Sequence, residues 1–262
     1  MSFIPLSEAA IRKHLRTKFL GRKIIVAQEV VSTQFEFAAR GLLSEPEGVV
    51  VLAESQTGGR GRMERRFFAP AGSGIYISVL LKPELPPEKV VFVTVCVAVA
   101  VCRALPNLKT GIKWVNDVFC NGKKMCGILT EASILAEQQR VEHVITGVGL
   151  NTGVVPEEVA GIATSVGAEM GVTPDRNPLV AAFLNEFEPL YACIGDDAAR
   201  RTVLAEYSAR QILMNRRVRV EAFNGAYEAV AVGIDEDGAL LVRDDDGKVA
   251  RLCAGEVSLK MV

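Results

Sequence analysis

The residues with the strongest chemical character lie in one polar, glycine-rich stretch, residues 56–66, called here the arginine loop. Glycine alternates with arginine at Gly58-Gly59-Arg60-Gly61-Arg62, and Arg65 and Arg66 follow, giving four arginines within seven residues. Glycine lets the backbone approach a ligand closely, and guanidinium groups make forked contacts with phosphate or carboxylate. The loop therefore predicts an anion site, with a solvated basic loop as the alternative. Its spacing is not that of a P-loop.

A second stretch combines a lysine with neighbouring amide and carboxylate groups. Lys113-Trp114-Val115-Asn116-Asp117 is followed by Lys124-Met125-Cys126-Gly127-Ile128. A lysine at a strand end can act as a point charge on a carboxylate or an α-phosphate. Asp117 could orient Lys113 or offset its charge. Taken alone, this stretch is equally compatible with a surface ion network.

Strands and helices must position these two stretches. Alternating or continuous apolar runs predict strands at 24–31, 48–53, 75–81 and 141–150. Thr33 and Glu36 fit a capping box for a helix that ends at Gly41. The apolar run 90–102 predicts a buried helix, the turn Asn121-Gly122 a hairpin, and residues 174–210 further helix.

The last fifty residues differ in character. Five short strand patterns between 218 and 260 are separated by Asn224-Gly225, Asp237-Gly238 and Asp246-Gly247, a pattern typical of a small barrel. We therefore expect two domains, 1–212 and 213–262. The acidic runs beside these turns lack the remaining ligands of a calcium loop and are expected to be solvated turns.

Composition narrows the function classes. The net charge of −1 provides no global basic field for nucleic acid. Six cysteines without a C-x-x-C motif favour a reducing compartment, and two distant histidines, His14 and His143, do not suggest a metal centre or a serine–histidine triad. The longest apolar run, 13 residues, is shorter than the roughly 20 needed to cross a membrane.

Together the two stretches resemble the biotin protein ligases (biotin–carboxylase ligases). The matching motifs are Arg60-Gly61-Arg62, the lysine-tryptophan-x-asparagine-aspartate run, and Lys124-x-x-Gly127-Ile128. Ser32-Thr33, Gly147-x-Gly149-Leu150-Asn151 and residues 255–259 also resemble family signatures, so that the resemblance runs from about residue 21 to the end.

The resemblance implies a fold and roles for individual residues. The fold is α+β, a mixed sheet flanked by helices as in class II aminoacyl-tRNA synthetases, followed by an SH3-like barrel. Biotin contacts are implied for the residues at the first strand end and in the arginine loop, and for Lys113 and Gly127; ATP contacts are implied for Arg62, Arg65, Asn116 and Asn151. The implied biotin set is Ser32, Thr33, Gln34, Gln56, Gly59, Arg60, Gly61 and Arg62.

The implied reaction makes biotinyl-5′-AMP from biotin and ATP, with Mg²⁺ on the triphosphate, and then transfers biotin to a lysine of a biotin carboxyl carrier domain of a carboxylase. Lys113, Arg60 and Arg62 are the implied catalytic residues, because two anions must approach each other and charge develops on phosphate oxygens. Water must be excluded, or the adenylate would hydrolyse.

Three positions depart from the family pattern. Gln34 stands where asparagine is usual, Val115 where proline is usual, and Met63-Glu64 where a glycine is common. None of these changes removes a charge that the reaction needs.

About 20 residues precede the first matching strand, which leaves no room for a helix-turn-helix, so we expect no direct DNA binding. The basic residues among the first 23 favour an amphipathic helix, with a mitochondrial presequence as the alternative. We expect a cytoplasmic protein that does not bind a membrane. The sequence leaves the oligomeric state open, a homodimer included.

Two competing functions remain. A lipoate–protein ligase would share the fold and the chemistry, although the arginine loop and the barrel favour biotin. An RNA-binding module would use the basic loop on phosphates, but aromatic residues do not alternate with its arginines.

Overall fold

A computed structural model describes residues 4–62, 66–222, 225–253 and 256–259. Its strands form a seven-stranded sheet and a five-stranded sheet. The strands of the first sheet are β1 Lys23–Val30, β2 Val49–Gln56, β3 Gly74–Leu81, β4 Thr110–Lys113, β5 Asp117–Cys120, β6 Lys123–Leu135 and β7 Arg140–Asn151. The helices are α1 Glu8–Arg12, α2 Phe35–Ala39, α3 Val91–Arg103, α4 Val166–Met170, α5 Arg176–Ala192 and α6 Asp197–Ala209.

The seven strands follow the order β1-β2-β3-β7-β6-β5-β4. Only the pair β1 and β2 is parallel, so the sheet is mixed as expected. Helix α3 is buried along almost its whole length and packs with α5 against one face of the sheet, because its valines, alanines and cysteines are apolar all round. The buried helix expected at 90–102 is thereby confirmed.

The expected helical run at 174–210 is two helices instead of one. The first helix, α5, ends at Ala192, and the second, α6, begins at Asp197. Asp196 caps α6, because its carboxylate accepts hydrogen bonds from the amides of Ala198 (2.8 Å) and Ala199 (3.1 Å).

The capping box predicted for α2 is wrong. The cap position is Gln34 in a helical conformation, and no side chain accepts a hydrogen bond there. The Thr33 hydroxyl is instead bonded to Gln56 and Ser78 on the sheet. The hydroxyl that the local cap would have used bonds to tertiary partners instead.

The second sheet is antiparallel, in the order β11-β10-β9-β8-β12. Its strands are β8 Arg217–Ala222, β9 Gly225–Ile234, β10 Leu240–Arg243, β11 Val249–Leu252 and β12 Glu256–Leu259. Gly238 (φ 83°) and Gly247 (φ 84°) adopt left-handed conformations in the predicted turns, while Asn224 lies outside the described residues. The small C-terminal barrel expected from the sequence matches this five-stranded unit.

Carboxylates in the first acidic turn bind protein rather than solvent alone. Asp235 accepts hydrogen bonds from the amides of Asp237 and Ala239, and Arg251 pairs with Asp235 and Asp237. Among the described residues, no helix combines the length and apolarity needed to cross a membrane. The six cysteines, all in the described part, are free.

Candidate active site

One line of residues runs across five strands on the face of the seven-stranded sheet that α3 and α5 do not cover, called here the open face. Lys113, Asp117, Gly127, Gly149 and Tyr76 are paired in register on β4, β5, β6, β7 and β3. We call them the central row. Since successive side chains of a strand alternate between faces, the neighbours of these residues, such as Ile128 and Val148, pack into the core on the other side. The row thus brings the lysine motif and the glycine-rich strand end together.

Polar groups at the end of β1 are buried beside this row. The amide and the hydroxyl of Thr33 donate to Gln56 Oε1 at 2.8 and 3.2 Å, and the hydroxyls of Thr33 and Ser78 lie 2.7 Å apart. Ser32 and Thr33 are each 3% exposed. Hydroxyls and a carboxamide supply both donors and acceptors, so this cluster can bind a small polar group with mixed hydrogen-bonding needs.

Gln34 reaches across the sheet from the same segment. Its Nε2 donates to the carbonyl oxygens of Leu129 (3.1 Å) and Ile145 (3.4 Å). A Cβ on Gly147 would lie 3.2 Å from Gln34 Cδ, so a larger residue there would push against the side chain. The longer side chain at position 34 is accommodated above a glycine.

Two glycines of the arginine loop are explained by close packing. A Cβ on Gly59 would lie 2.6 Å from the Phe67 carbonyl oxygen, and one on Gly58 would lie 2.9 Å from Val31 Cγ1. Neither glycine has a left-handed backbone. Any side chain at Gly59 would therefore separate the two halves of the loop.

Arg60 contacts two residues outside the loop. Its Nη2 contacts both carboxylate oxygens of Glu131 at 2.6 and 2.8 Å, and its guanidinium carbon lies 4.6 Å from the centroid of the Phe35 ring. This partner is 71 residues away along the chain and was not predicted from the sequence.

Arg62 joins the two motifs. Its Nη1 lies 3.4 Å from Asn116 Oδ1, and Asn116 is held in turn by Nδ2 donating to the Ile128 carbonyl at 2.7 Å. Burial raises the pKa of the Tyr207 hydroxyl, while a hydrogen bond with Gln211 and the charge of Arg62 lower it. Arg65 lies outside the described residues. Gly61 lies between Arg60 and Arg62 in the chain, and the structure describes all three.

Lys113 ends β4 directly opposite Asp117. Its ammonium lies 6.0 Å from the centroid of the Phe119 ring. The Asp117 carboxylate forms an ion pair with Lys124 at 2.7 Å, and Lys124 Nζ lies 3.3 Å from the place of a Cβ on Gly127. Two lysines and one carboxylate therefore lie at this end of the row.

Phe67 covers the glycines of the row and was not foreseen from the sequence. A Cβ on Gly149 would lie 2.5 Å from the Phe67 ring, and one on Gly127 would lie 3.3 Å from it. The ring meets Tyr76 edge-on at 6.4 Å. Burial raises the pKa of Tyr76 to about 12, so this hydroxyl stays neutral and donates to the Pro70 carbonyl at 3.0 Å. In the sequence, Phe67 to Pro70 resemble the family segment that follows the arginine loop, and the glycines at 127 and 149 leave the space that the ring fills.

Asn151 lies apart from the charged end. It pairs with Gly74 at the end of β7, two residues beyond Gly149, and its Nδ2 donates to the Thr164 carbonyl at 3.1 Å. The structure therefore brings together the residues from β1, the arginine loop and the lysine motif. Asn151 occupies the far end of the same face.

Family comparisons agree with both parts of the chain. Residues 28–151 match the Biotin/lipoate A/B protein ligase family, and residues 213–260 match the Biotin protein ligase C terminal domain. The first range contains the whole seven-stranded sheet except the first residues of β1, and the second contains the five-stranded sheet.

Curated relatives align over nearly the whole chain. The chain is 35% identical to the "Bifunctional ligase/repressor BirA" of Bacillus subtilis over 262 residues, covering 97% of this chain and 79% of that protein. It is 34% identical to the "Biotin--[acetyl-CoA-carboxylase] ligase" of Mycobacterium tuberculosis over 264 residues, covering 97% of this chain and 95% of that protein.

Solved structures share the fold. The biotin protein ligase from Aquifex aeolicus in complex with biotin and ATP superposes with a TM-score of 0.75 at 24% identity, over 92% of this chain and 100% of that one. At this identity the likeness concerns the fold alone.

Proposed function

The chain belongs to the biotin protein ligase family, and we propose that its open sheet face makes biotinyl-5′-AMP and passes the biotinyl group to a lysine of a carboxylase carrier domain. It is a ligase of the biotin–protein class. The observation that carries the residue assignments is the contact between Arg62 and Asn116, which brings the arginine loop onto the motif of Lys113.

The biotin head group belongs at the buried polar cluster. Ser32, Thr33, Gln34 and Gln56 offer hydroxyl and carboxamide groups that can donate to the ureido oxygen and accept from its two N–H groups. The cluster is buried and bonded to Ser78, so these groups are held in place before biotin arrives. Preorganisation of this kind lowers the cost of binding.

The first chemical step joins two anions. A carboxylate oxygen of biotin forms a bond to the α-phosphorus of ATP, the bond to the bridging oxygen breaks, and pyrophosphate leaves. Lys113 and Arg62 supply the positive charge that lets the anions approach and that stabilises the phosphate oxygens in the transition state. Arg60, Gly59, Gly61 and Gly127 border this space, and Arg65 and Asn116 are further ATP contacts.

The second step consumes the adenylate. The neutral amine of the acceptor lysine attacks the biotinyl carbonyl, the bond to the AMP oxygen breaks, AMP leaves with the electron pair, and the amine loses a proton. Phe67 above Gly127 and Gly149 presents an apolar wall that can keep water from the same carbonyl. Adenine is assigned to the far end of the face, near Asn151.

Magnesium is proposed only as the companion of the triphosphate. Within the described ranges, no three His, Cys, Asp or Glu side chains form a group that could hold a metal ion. Mg²⁺ is commonly bound through substrate phosphates and one or two carboxylates, so a dedicated protein cage is not required.

The domain boundary at 212/213 fits the two family matches and the two sheets and stays a prediction. Four of the free cysteines are buried as thiols, which favours a reducing compartment such as the cytoplasm. A homodimer is a further prediction, for which sedimentation of the purified chain is the measurement.

The decisive experiment is incubation with biotin, magnesium–ATP and a biotin carboxyl carrier domain, followed by intact-mass measurement of the carrier. We expect the mass of one biotinyl group, absent without ATP and absent when the acceptor lysine is changed to arginine. Parallel titrations with biotin and with lipoate test which carboxylic acid is the substrate. Binding of lipoate alone would show that the substrate is lipoate and not biotin. Salt-dependent RNA binding without ATP–pyrophosphate exchange would show that the chain is an RNA-binding module and not a ligase.

A further inference from the structure

Arg60 is held at several points, none of which belongs to the central row. Its side chain contacts Glu131 of β6, which extends from the same sheet face as Gly127. Its backbone forms a bridge with Arg66, the returning half of the loop. The guanidinium lies over Phe35, the first residue of α2. Arg60 thus connects the loop both to strand β6 and to helix α2.

The contacts of Arg60 lie midway along the loop segment that crosses the sheet face. The loop leaves β2 next to the polar cluster, with the Gly58 amide donating to the Val31 carbonyl at 2.9 Å. It then crosses the sheet face toward Arg62 and Asn116. Arg60 lies between these two ends. A contact at Arg60 therefore holds the crossing segment against the sheet.

We propose that Glu131 is a positioning residue for Arg60, and that the pair fastens residues 58–62 across the bound biotinyl-adenylate until the acceptor arrives. This inference rests on the proposed function. Glu131 touches neither substrate nor reacting atoms; it acts through Arg60. The carboxylate and the Phe35 ring together define one place for the guanidinium, where a carboxylate alone would leave it free to rotate.

The expected size of the effect follows from exposure. The side chains of Arg60 and Glu131 are 38% and 47% exposed, so solvent and salt weaken the ion pair. Loss of an exposed ion pair of this kind changes the equilibrium between the open and the closed loop by about five-fold. The contact can thus shift loop opening without being needed for the fold.

The test compares the release of biotinyl-adenylate from Glu131→Gln, Glu131→Asp and Glu36→Gln. Each variant is loaded with labelled biotin and magnesium–ATP, freed of excess ligand, and chased with unlabelled biotin. Glu36→Gln is the control for loss of an ion pair near Phe35, since Glu36, whose side chain is 16% exposed, pairs with Arg40 at 2.5 Å. Urea unfolding of each variant is the check that it is folded.

We expect Glu131→Gln to release the adenylate about five-fold faster than wild type, with the difference shrinking in high salt. Glu131→Asp should restore part of the retention, and Glu36→Gln should behave as wild type. Adding Glu131→Gln to Arg60→Gln should cause no further acceleration, because both remove the same contact.

Unchanged release from Glu131→Gln, or equal acceleration in Glu36→Gln, would overturn the positioning role while wild-type adenylate formation upholds the proposed function. Absence of any adenylate on the wild-type protein would overturn both.

Discussion

The indole nitrogen of Trp114 donates to the carbonyl oxygen of Gly238 at 3.0 Å, across 124 residues and in a buried position. Trp114 follows Lys113 directly, and Gly238 lies in the turn between β9 and β10. A second bond holds the same segment, from the Tyr207 hydroxyl to the Val115 carbonyl at 2.9 Å. The five-stranded sheet therefore contacts the lysine motif itself.

Trp114→Phe should lower both stability and activity. The ring would still fill most of the space, but the Gly238 carbonyl would lose its buried donor, at a cost of about 1–3 kcal/mol in the free energy of unfolding. Biotin-dependent pyrophosphate exchange should fall as well, because Lys113 is adjacent. Urea unfolding followed by circular dichroism is the measurement, since Trp114 is the only tryptophan. Tyr227→Phe, at an exposed position of the same small sheet, is the control, and equal effects in both variants would refute the contact's role.

Lys113→Ala should reduce biotin-dependent pyrophosphate exchange by about 10²–10³-fold, the range seen when one preorganised charge stabiliser is removed. A carboxylate and a polyphosphate repel each other, and alanine lacks the positive charge with which Lys113 offsets that repulsion. Lys23→Ala, which removes an exposed lysine paired with Glu45, should exchange at the wild-type rate. Wild-type exchange by Lys113→Ala would make the lysine assignment wrong.

Gly149→Ala should displace Phe67, since the new Cβ would lie 2.5 Å from the ring. We expect a loss of about 1–3 kcal/mol in the free energy of unfolding, typical of overpacking, and weaker biotin binding by titration calorimetry. Adding Phe67→Ala should recover part of the stability but not the binding. Gly161→Ala, where a Cβ would meet nothing within 4 Å, is the matched control. Full biotin affinity in Gly149→Ala would show that Phe67 does not border the site.

The sequence predicted the elements whose signals are local. Period-two runs gave the strands, the turn Asn121-Gly122 gave the hairpin of β5 and β6, and an apolar run gave α3. The motifs also predicted site residues, and the structure brings the arginine loop into contact with the lysine motif through Arg62 and Asn116.

Contacts between distant parts of the chain could not be predicted in this way. The register that aligns Lys113 with Tyr76 over five strands depends on how all of them pair. The pairing of Arg60 with Glu131 follows only from that register. The local capping signal at Thr33 was misleading for the same reason, since tertiary partners used its hydroxyl.

Glu188→Gln should loosen the N-terminal segment, residues 4–20. Glu188 is 8% exposed and accepts hydrogen bonds from the amides of Lys18 (2.6 Å), Phe19 (2.9 Å) and Leu20 (2.8 Å). A carboxamide has one acceptor oxygen in place of two, so at least one amide loses its partner, at about 1–3 kcal/mol. Urea unfolding and limited proteolysis near residue 18 are the measurements. Glu8→Gln, at an exposed pair with Arg12, should change neither, and resistance of Glu188→Gln to both would contradict a structural role for the segment.

The stability that Glu169 provides should depend on pH. Hydrogen bonds from Thr164 and then Asn121 hold the pKa of the Glu169 carboxyl below its ordinary value of 4.5, against the raising effect of desolvation. Because the folded pKa is the lower one, the stabilisation is complete above the ordinary value and is lost as the pH falls through the lowered pKa. Wild type should therefore be more stable than Glu169→Gln at about pH 7, and the difference should shrink below about pH 4.

The carboxyl titration itself is the direct measurement, by NMR of the Glu169 side chain. Thr164→Val removes the hydroxyl that bonds Glu169 Oε1 at 2.5 Å, so it should raise the pKa of Glu169 toward 4.5 and flatten the pH dependence. The Thr164 carbonyl that accepts from Asn151 is a backbone atom and remains in this variant. A difference between wild type and Glu169→Gln that grows as the pH falls would have the opposite sign and would refute the assignment, since it would require the folded protein to raise that pKa.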